Sequence, residues 1–223
     1  MEQREKPTDI RGGPPHLQPA ISRRPHGANR FIVFSPKAKR RLDLFGNAQL
    51  HLWLRLEADP ATRTLCERPV VIQDSKRSRV VDFWVTGPGL NKYLLIARGS
   101  TPAGASAEPQ LPAFRAWAKE VGCEVEEVET PENSPDQETW YGNWTTILQQ
   151  ISNYGPYLNP KMTEQLRTAS AQRIAISQLL QQFPREEQEI VRATIFELVH
   201  QGVLEFVDLR KDRLSDLSEV EPS

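Results

Sequence analysis

The chain has 223 residues, of which 38% are hydrophobic and 26% charged, and its formal net charge is −1. This composition is typical of a soluble globular protein, and the length is enough for one medium domain and a small one. The sequence contains no apolar run of membrane-spanning length, which excludes a transmembrane helix. The polar, proline-rich N-terminus excludes a secretory signal peptide. Cys66 and Cys123 form no metal-type pair, and we interpret them as reduced, buried thiols of a cytoplasmic protein.

The small net charge hides an asymmetry between the two halves. Up to Arg98 there are 18 Lys and Arg against 9 Asp and Glu, a net of +9, and from Gly99 onward there are 10 against 20, a net of −10. A basic N-terminal half favours contact with a phosphate backbone, and an acidic C-terminal half favours a protein partner. Two ordinary solvated surfaces are the alternative interpretation. The candidate DNA-binding residues are the basic ones of the first half: Arg23, Arg24, Arg30, Lys37, Lys39, Arg40, Arg41, Lys76, Arg77 and Arg79.

The elements begin after a proline-rich stretch. Residues 1 to about 28 lack an apolar period and predict a flexible arm, which either lies along DNA or only keeps the protein soluble. A strand is predicted over 31–34 and a helix over 46–58. Leu52, Trp53 and Leu56 follow Gln49 at helical spacing, so Gln49 is expected to face inward. A buried polar group needs a partner, and a core glutamine bonded to backbone is the alternative to a functional role.

Three strands are predicted next, over 69–72, 80–85 and 93–97. The last two are joined by Gly87-Pro88-Gly89 and predict a hairpin. Asp82 is expected inside the second of these strands, between apolar neighbours. A carboxylate in that position is costly unless it is paired or binds a metal.

The remaining pattern predicts helices and one further edge strand. We expect a flexible loop over 99–110, a helix over 111–121, an edge strand over 123–128, a polar loop over 131–137 and a helix over 139–151. Helical segments over 162–182 and 185–200, a stop at Gly202 and a strand over 203–207 are typical of a winged helix. The predicted domains are an arm (1–28), a first domain (29–155), a winged-helix-like domain (156–215) and a polar tail (216–223).

Short segments in a characteristic order resemble the N-terminal domain of the TnsA family of transposon endonucleases, a branch of the PD-(D/E)xK nuclease fold. The matching segments are Leu56-Glu57-Ala58-Asp59-Pro60, Arg68-Pro69, Val81-Asp82-Phe83 and Leu95-Ile96-Ala97-Arg98. The similarity continues in 117–122, around Asn143 and in 216–218, so it covers the chain from about residue 42 onward. It implies an α/β fold: a restriction-endonuclease-like mixed sheet flanked by helices, followed by a small winged-helix-like α+β domain.

The resemblance also implies a site. In the family, carboxylates hold Mg²⁺, which activates water and neutralises phosphate charge, and a lysine assists. Carried over by position, the helix glutamate falls on Gln49, the strand aspartate on Asp82, the third-strand Glu or Gln on Ile96, and the lysine on Arg98. Asp82 is the one carboxylate kept as a candidate metal ligand, and Arg98 cannot deprotonate. The substitutions predict lost or weakened cleavage, with Mg²⁺ as cofactor if the site is active and none otherwise.

The family's partners are the remaining implication. They are the double-stranded DNA of transposon ends, a partner transposase and an AAA+ regulator, with no membrane involved. One alternative is an active metal-dependent endonuclease that cuts DNA strands at transposon ends. Another is a DNA-binding adaptor unrelated to transposition.

Overall fold

The computed structural model describes residues 14–73, 78–97, 111–129 and 134–223. The protein is mixed α/β, with a mixed sheet flanked by helices. Backbone contacts divide it into two units, the first of Met1–Val33, Arg41–Leu52 and Ala61–Pro131, and the second of Phe34–Arg40, Trp53–Pro60 and Glu132–Ser223. Among the described residues, no helix combines the length and the apolar character needed to cross a membrane. The domain limits expected from the sequence stay predictions.

Among the described residues between 30 and 128 there are ten elements. They are, in chain order, β1 (Arg30–Ser35), β2 (Arg40–Phe45), α1 (Asn47–Ala58), β3 (Thr64–Glu67), β4 (Val71–Gln73), β5 (Ser78–Val80), β6 (Phe83–Gly87), β7 (Leu90–Ile96), α2 (Leu111–Glu120) and β8 (Glu124–Val128). The main sheet has the order β3-β6-β7-β8, while β1 pairs with β2 and β4 with β5. Strand β6 is antiparallel to both β3 and β7, and β8 runs parallel to β7.

Helix α2 covers the main sheet with an apolar face. Phe114 and Ala118, four residues apart and therefore on one side of the helix, are fully buried. They pack into one core with Tyr93 and Leu95 of β7, and the rings of Tyr93 and Phe114 lie 5.3 Å apart. Full burial of a side chain of this size stabilises the fold by about 1.5–3 kcal/mol. Cys66 and Cys123 belong to this core as free thiols, which agrees with their interpretation as packing residues, and burial raises the pKa of Cys123.

The segment before β1 is attached to the sheet. The N–H of Ala20 donates to the carbonyl of Arg68 at 2.8 Å, and Arg68 Nε donates to the carbonyl of Ile21 at 2.9 Å. His16 Nε2 and the Tyr93 hydroxyl share a hydrogen bond of 2.7 Å. Burial lowers the pKa of His16, which favours the neutral ring. Residues 14–21 therefore have fixed contacts where the sequence indicates a flexible arm, and 1–13 lie outside the described residues.

The sequence pattern and the structure differ at the strands around Asp82. The predicted strand over 80–85 is two strands, because β5 ends at Val80 and β6 begins at Phe83. Asp82 is therefore not inside a strand. The predicted strand over 69–72 corresponds to β4, which pairs with β5 outside the main sheet. The strand that does occupy the edge of the main sheet, β3, was not predicted. The loop expected over 99–110 lies outside the described residues.

The elements after residue 134 form the rest of the second unit. They are α3 (Pro135–Tyr154), a short 3-10 helix (Gly155–Tyr157), α4 (Pro160–Ala169), β9 (Ile174–Ala175), α5 (Ile176–Gln182), α6 (Gln188–His200), β10 (Leu204–Phe206) and β11 (Glu219–Pro222). Ser134 caps α3, since its side chain accepts the N–H of Gln137. Gly202 ends α6 with a φ of +71°, which confirms the predicted stop.

Two predictions for this region were wrong. The helix expected over 162–182 is interrupted by β9, which pairs with β11 through Ile174 and Val220. The polar tail expected over 216–223 contains β11, the central strand of the sheet β10-β11-β9. The segment Glu219–Pro222 is short and carries charges, so its pairing on both sides, rather than its own pattern, makes it a strand.

A buried asparagine holds the loop between β10 and β11. Asn143 Nδ2 donates to the carbonyls of Leu209 and Asp212 at 2.8 and 2.7 Å, and its Oδ1 accepts the N–H of Leu214 at 2.8 Å. The residue is 4% exposed. One side chain on α3 thus supplies three hydrogen bonds to a loop that has no helix or strand of its own.

Replacing Asn143 by alanine is expected to loosen this loop. The N–H of Leu214 and two carbonyls lose their partner, which costs about 1–3 kcal/mol. Amide exchange should accelerate at 209–214, and urea unfolding should give the energetic loss. Thr146→Ala is the matched control, because it removes an exposed side chain from the same helix. Equal exchange in both variants would show that Asn143 does not order the loop.

Candidate functional site

Gln49 is placed as the helical period of α1 predicted. Its side chain is buried at 8% exposure, in the first turns of the helix. Asp82 is half-buried in the two-residue connection between β5 and β6. Ile96 is the last residue of β7. The structure brings these three positions together, and Arg98 lies outside the described residues.

The carboxylate of Asp82 binds two N–H donors from different elements. Its Oδ1 accepts from Gln49 Nε2 at 2.9 Å, and its Oδ2 accepts from the backbone N–H of Ile96 at 2.8 Å. The backbone of Asp82 also takes part, since its N–H donates to Leu94 O at 3.0 Å and its carbonyl accepts from Arg68 N at 2.9 Å. The side chain thus accepts a hydrogen bond from a backbone N–H of β7, at the two-residue break between β5 and β6.

The amide of Gln49 has one orientation that satisfies both of its neighbours. Its Oε1 accepts the backbone N–H of Phe45 at 2.9 Å, and its Nε2 donates to Asp82. The reversed amide would set oxygen against a carboxylate oxygen and leave two N–H donors facing each other. Gln49 therefore presents a nitrogen to Asp82. The alternative expected from the sequence, a core glutamine bonded to backbone, describes one of its two contacts.

Arg79 is the residue of this site that the sequence did not assign to it. It was grouped with the DNA-binding cations, but it is 5% exposed, and its Nη2 donates to the carbonyl of Ile96 at 3.1 Å. The N–H of Ile96 is held by Asp82 and its carbonyl by Arg79. A buried arginine brings a positive charge into the site. Its position on the short strand β5, opposite Ile72 of β4, is set by tertiary pairing.

The groups at this site do not fit the coordination of a magnesium ion. Mg²⁺ takes oxygen ligands in octahedral geometry. Here Gln49 turns its nitrogen toward Asp82, Ile96 has no ligating side chain, and the Ile96 carbonyl accepts from a cation. Within the described residues, no group of three or more His, Cys, Asp or Glu is arranged to hold a metal. The arrangement is a hydrogen-bond network around Asp82.

Glu57, the carboxylate of α1, is also held by hydrogen bonds. It is fully buried, and its Oε2 bonds to His200 Nε2 at 2.9 Å, while its Oε1 accepts from Trp53 Nε1 at 3.1 Å. The Ser35 hydroxyl donates to the same Oε1. This cluster lies within the second unit and links α1 to α6. The sequence pattern shows Glu57 in an apolar helix, but it does not show the histidine that pairs with it.

Some of the candidate DNA-binding residues have structural partners. Lys37 Nζ donates to the carbonyls of Leu56 and Asp59 at 2.7 and 2.5 Å, which caps the C-terminus of α1. Arg30 binds Asp43 through two nitrogen atoms at 2.9 and 3.1 Å, although its side chain remains exposed. Those with clearly exposed side chains are Arg23, Arg24, Arg30, Lys39 and Arg41. Arg40 is half-buried, and Lys76 and Arg77 lie outside the described residues.

Comparison with models of known protein families and with curated proteins gives no match to this chain. The functional reading therefore depends on the residues of the site and on the order of the elements.

Proposed function

We propose that this protein is a TnsA-like, DNA-binding subunit of a heteromeric transposition machinery whose endonuclease activity is lost or weakened. The observation that carries the proposal is the network around Asp82. The family-equivalent positions Gln49 and Ile96 supply N–H donors to this carboxylate at 2.9 and 2.8 Å. Both carboxylate oxygens of Asp82 accept hydrogen bonds from the fold, which supports a structural role for this residue in place of metal binding.

The order of the elements supports the nuclease-like part of the proposal. Helix α1 is followed by the antiparallel strands β3, β6 and β7, then by α2 and the parallel strand β8. The segments that carry the resemblance lie on this series, with Gln49 on α1, Asp82 immediately before β6 and Ile96 at the end of β7. A restriction-endonuclease-like sheet accounts for this order and for the meeting of the three positions.

The last elements support the winged-helix-like part. They run α4, β9, α5, α6, β10 and β11, and the three strands form one sheet with the loop 207–218 between β10 and β11. Glu186, Glu187, Glu189 and Glu197 lie on or just before α6. Acidic groups of this kind repel a phosphate backbone. We therefore assign this region to a protein partner, such as the transposase or the AAA+ regulator, and the basic N-terminal half to duplex DNA.

Duplex binding and its salt dependence test the DNA part of the proposal. The double variant Arg40→Glu/Arg41→Glu is expected to bind duplex DNA more weakly. The slope of log K against log salt should become shallower by about 2, or roughly one per phosphate contact. The measurement is a fluorescence anisotropy titration of a labelled duplex at several salt concentrations.

The control variant is Arg185→Glu/Arg213→Glu, which makes the same charge change at two exposed positions of the second unit. It is expected to leave the slope unchanged. An equal loss in both double variants would mean that net charge alone governs binding. An unchanged affinity after reversal of Arg40 and Arg41 would remove this segment from the DNA-binding surface.

A further inference from the structure

Residues 14–21, a segment without helix or strand, lie against the main sheet within the first unit, and we refer to them as the strap. Near the C-terminal end of the strap, Ala20 N donates to Arg68 O at 2.8 Å, and Arg68 Nε donates to Ile21 O at 2.9 Å. Near its N-terminal end, His16 Nε2 and the Tyr93 hydroxyl share a hydrogen bond of 2.7 Å. The strap is therefore held through its backbone at one end and through a histidine side chain at the other.

The ring of His16 packs on two aromatic rings of the sheet. Its centre lies 5.3 Å from that of Trp84 on β6 and 5.6 Å from that of Tyr93 on β7, with edge-on geometry in both cases. Trp84 and Tyr93 are buried, and His16 itself is half-buried. The next residue, Leu17, is 74% exposed. The N-terminal end of the strap is therefore anchored by a titratable side chain, although an apolar one stands beside it.

The surroundings of His16 contain few charged groups. His16 is the one titratable side chain of the strap, and within the described ranges no carboxylate forms an ion pair with it. Burial raises the pKa of the Tyr93 hydroxyl, which therefore stays neutral. The other titratable or charged groups on this face of the sheet, on α2 above it and at the far end of the strap are Cys66, Cys123, Glu127 with its ion-pair partner Arg115, and Arg68.

Protonation of His16 disfavours the docked strap. Burial lowers the pKa of His16 from its ordinary value of 6.5, because a cation at this position loses water and gains no carboxylate. A released strap has the ordinary pKa, so below pH 6.5 it takes up a proton that the docked strap does not. Docking is thus strongest above that pH. Its equilibrium constant falls by up to about tenfold per pH unit as the pH drops toward the pKa of the docked ring.

We propose that His16 is a pH-sensitive anchor of the strap: the neutral ring holds the N-terminal end of the strap on Trp84 and Tyr93, and protonation releases it from the sheet. Release uncovers these two aromatic side chains, which the strap covers at neutral pH. The inference does not depend on the proposed function, because it uses only the contacts between the strap and the sheet.

The test is an NMR titration of the isotope-labelled full chain from about pH 7.5 to about pH 5. The signals followed are the ring C–H of His16, the backbone N–H of Leu17 and the indole N–H of Trp84. In wild type the three are expected to change together, with one midpoint below about pH 6.5, and the Leu17 signal should move toward that of an unstructured chain.

His16→Gln keeps a hydrogen-bonding side chain but takes up no proton in this range, so the response of Leu17 and Trp84 should disappear. His26→Gln, which removes an exposed histidine from the turn that follows the strap, should keep the response. Three results would overturn the proposal: no change of Leu17 and Trp84 in wild type, a response that persists in His16→Gln, or different midpoints for His16 and Leu17. If His16→Gln leaves the strap undocked at every pH, the two wild-type midpoints decide, and their agreement supports the proposal.

Discussion

Replacing Glu57 by alanine is expected to lower the free energy of unfolding by about 3–5 kcal/mol. The carboxylate is fully buried, and it is the common acceptor of Ser35, Trp53 and His200. The substitution leaves all three groups without that acceptor in a part of the protein where they are at most 7% exposed. Unsatisfied buried donors cost far more than an average hydrogen bond contributes.

Chemical denaturation followed by tryptophan fluorescence measures the loss in the free energy of unfolding. Glu205→Ala is the matched control, because Glu205 is an exposed glutamate of the same unit, and it should change the stability by less than about 0.5 kcal/mol. Glu57→Gln keeps the shape and one acceptor oxygen, so its loss of stability should lie between the losses of Glu57→Ala and Glu205→Ala. A Glu57→Ala protein as stable as the Glu205→Ala protein would contradict the assignment of this cluster to the core.

Replacing Gln49 by glutamate is expected to destabilise the protein by about 2–3 kcal/mol at neutral to basic pH. The new side chain has the same shape and still accepts the N–H of Phe45. Its second oxygen, however, takes the place of Nε2, which lies 2.9 Å from Asp82 Oδ1. Two carboxylates so close cannot both ionise without cost, so one pKa of the pair rises and the loss should shrink as the pH falls from about 8 to about 5.

Thermal unfolding across that pH range measures the effect. The stability of the variant should fall as the pH rises, because the raised pKa means that the unfolded chain releases the shared proton more readily than the folded one. Gln181→Glu makes the same chemical change at an exposed position of α5 and should show no such dependence. A Gln49→Glu variant with the stability and pH profile of the Gln181→Glu control would mean that Gln49 does not donate to Asp82.

Much of the site could be predicted from local pattern, because helical spacing decides which side of α1 is buried. That spacing predicted an inward Gln49, and the apolar neighbours of Asp82 predicted that it is either paired or bound to a metal. The partners could not be predicted in the same way. The backbone N–H groups of Phe45 and Ile96 come from the ends of β2 and β7, and Arg79 comes from the β4-β5 ribbon. The sequence indicates that Arg79 is a surface cation, since its polar and basic neighbours do not predict burial.

The helices and strands also divide into those that local pattern predicts and those that tertiary pairing decides. Helices α2 and α6 have clear apolar faces and were predicted, and so was the hairpin of β6 and β7. Strands β3 and β11 were missed, since each has only four residues and carries polar groups. Pro222 looks unsuited to a strand, yet it sits opposite Leu204 at a position without ladder hydrogen bonds, where a missing N–H costs nothing. Such strands are specified by their partners more than by their own residues.

The central claim is that the protein has a nuclease-like site in which the Asp82 carboxylate is occupied by hydrogen bonds. The most direct test is a nicking assay on supercoiled plasmid DNA with Mg²⁺ or Mn²⁺. Wild type and Asp82→Ala are compared, and a duplex-binding measurement is run on both. We expect wild type to bind duplex DNA and to nick no more plasmid than Asp82→Ala does. Metal-dependent nicking by wild type that disappears in Asp82→Ala would contradict the account, because it would make Asp82 a working metal ligand.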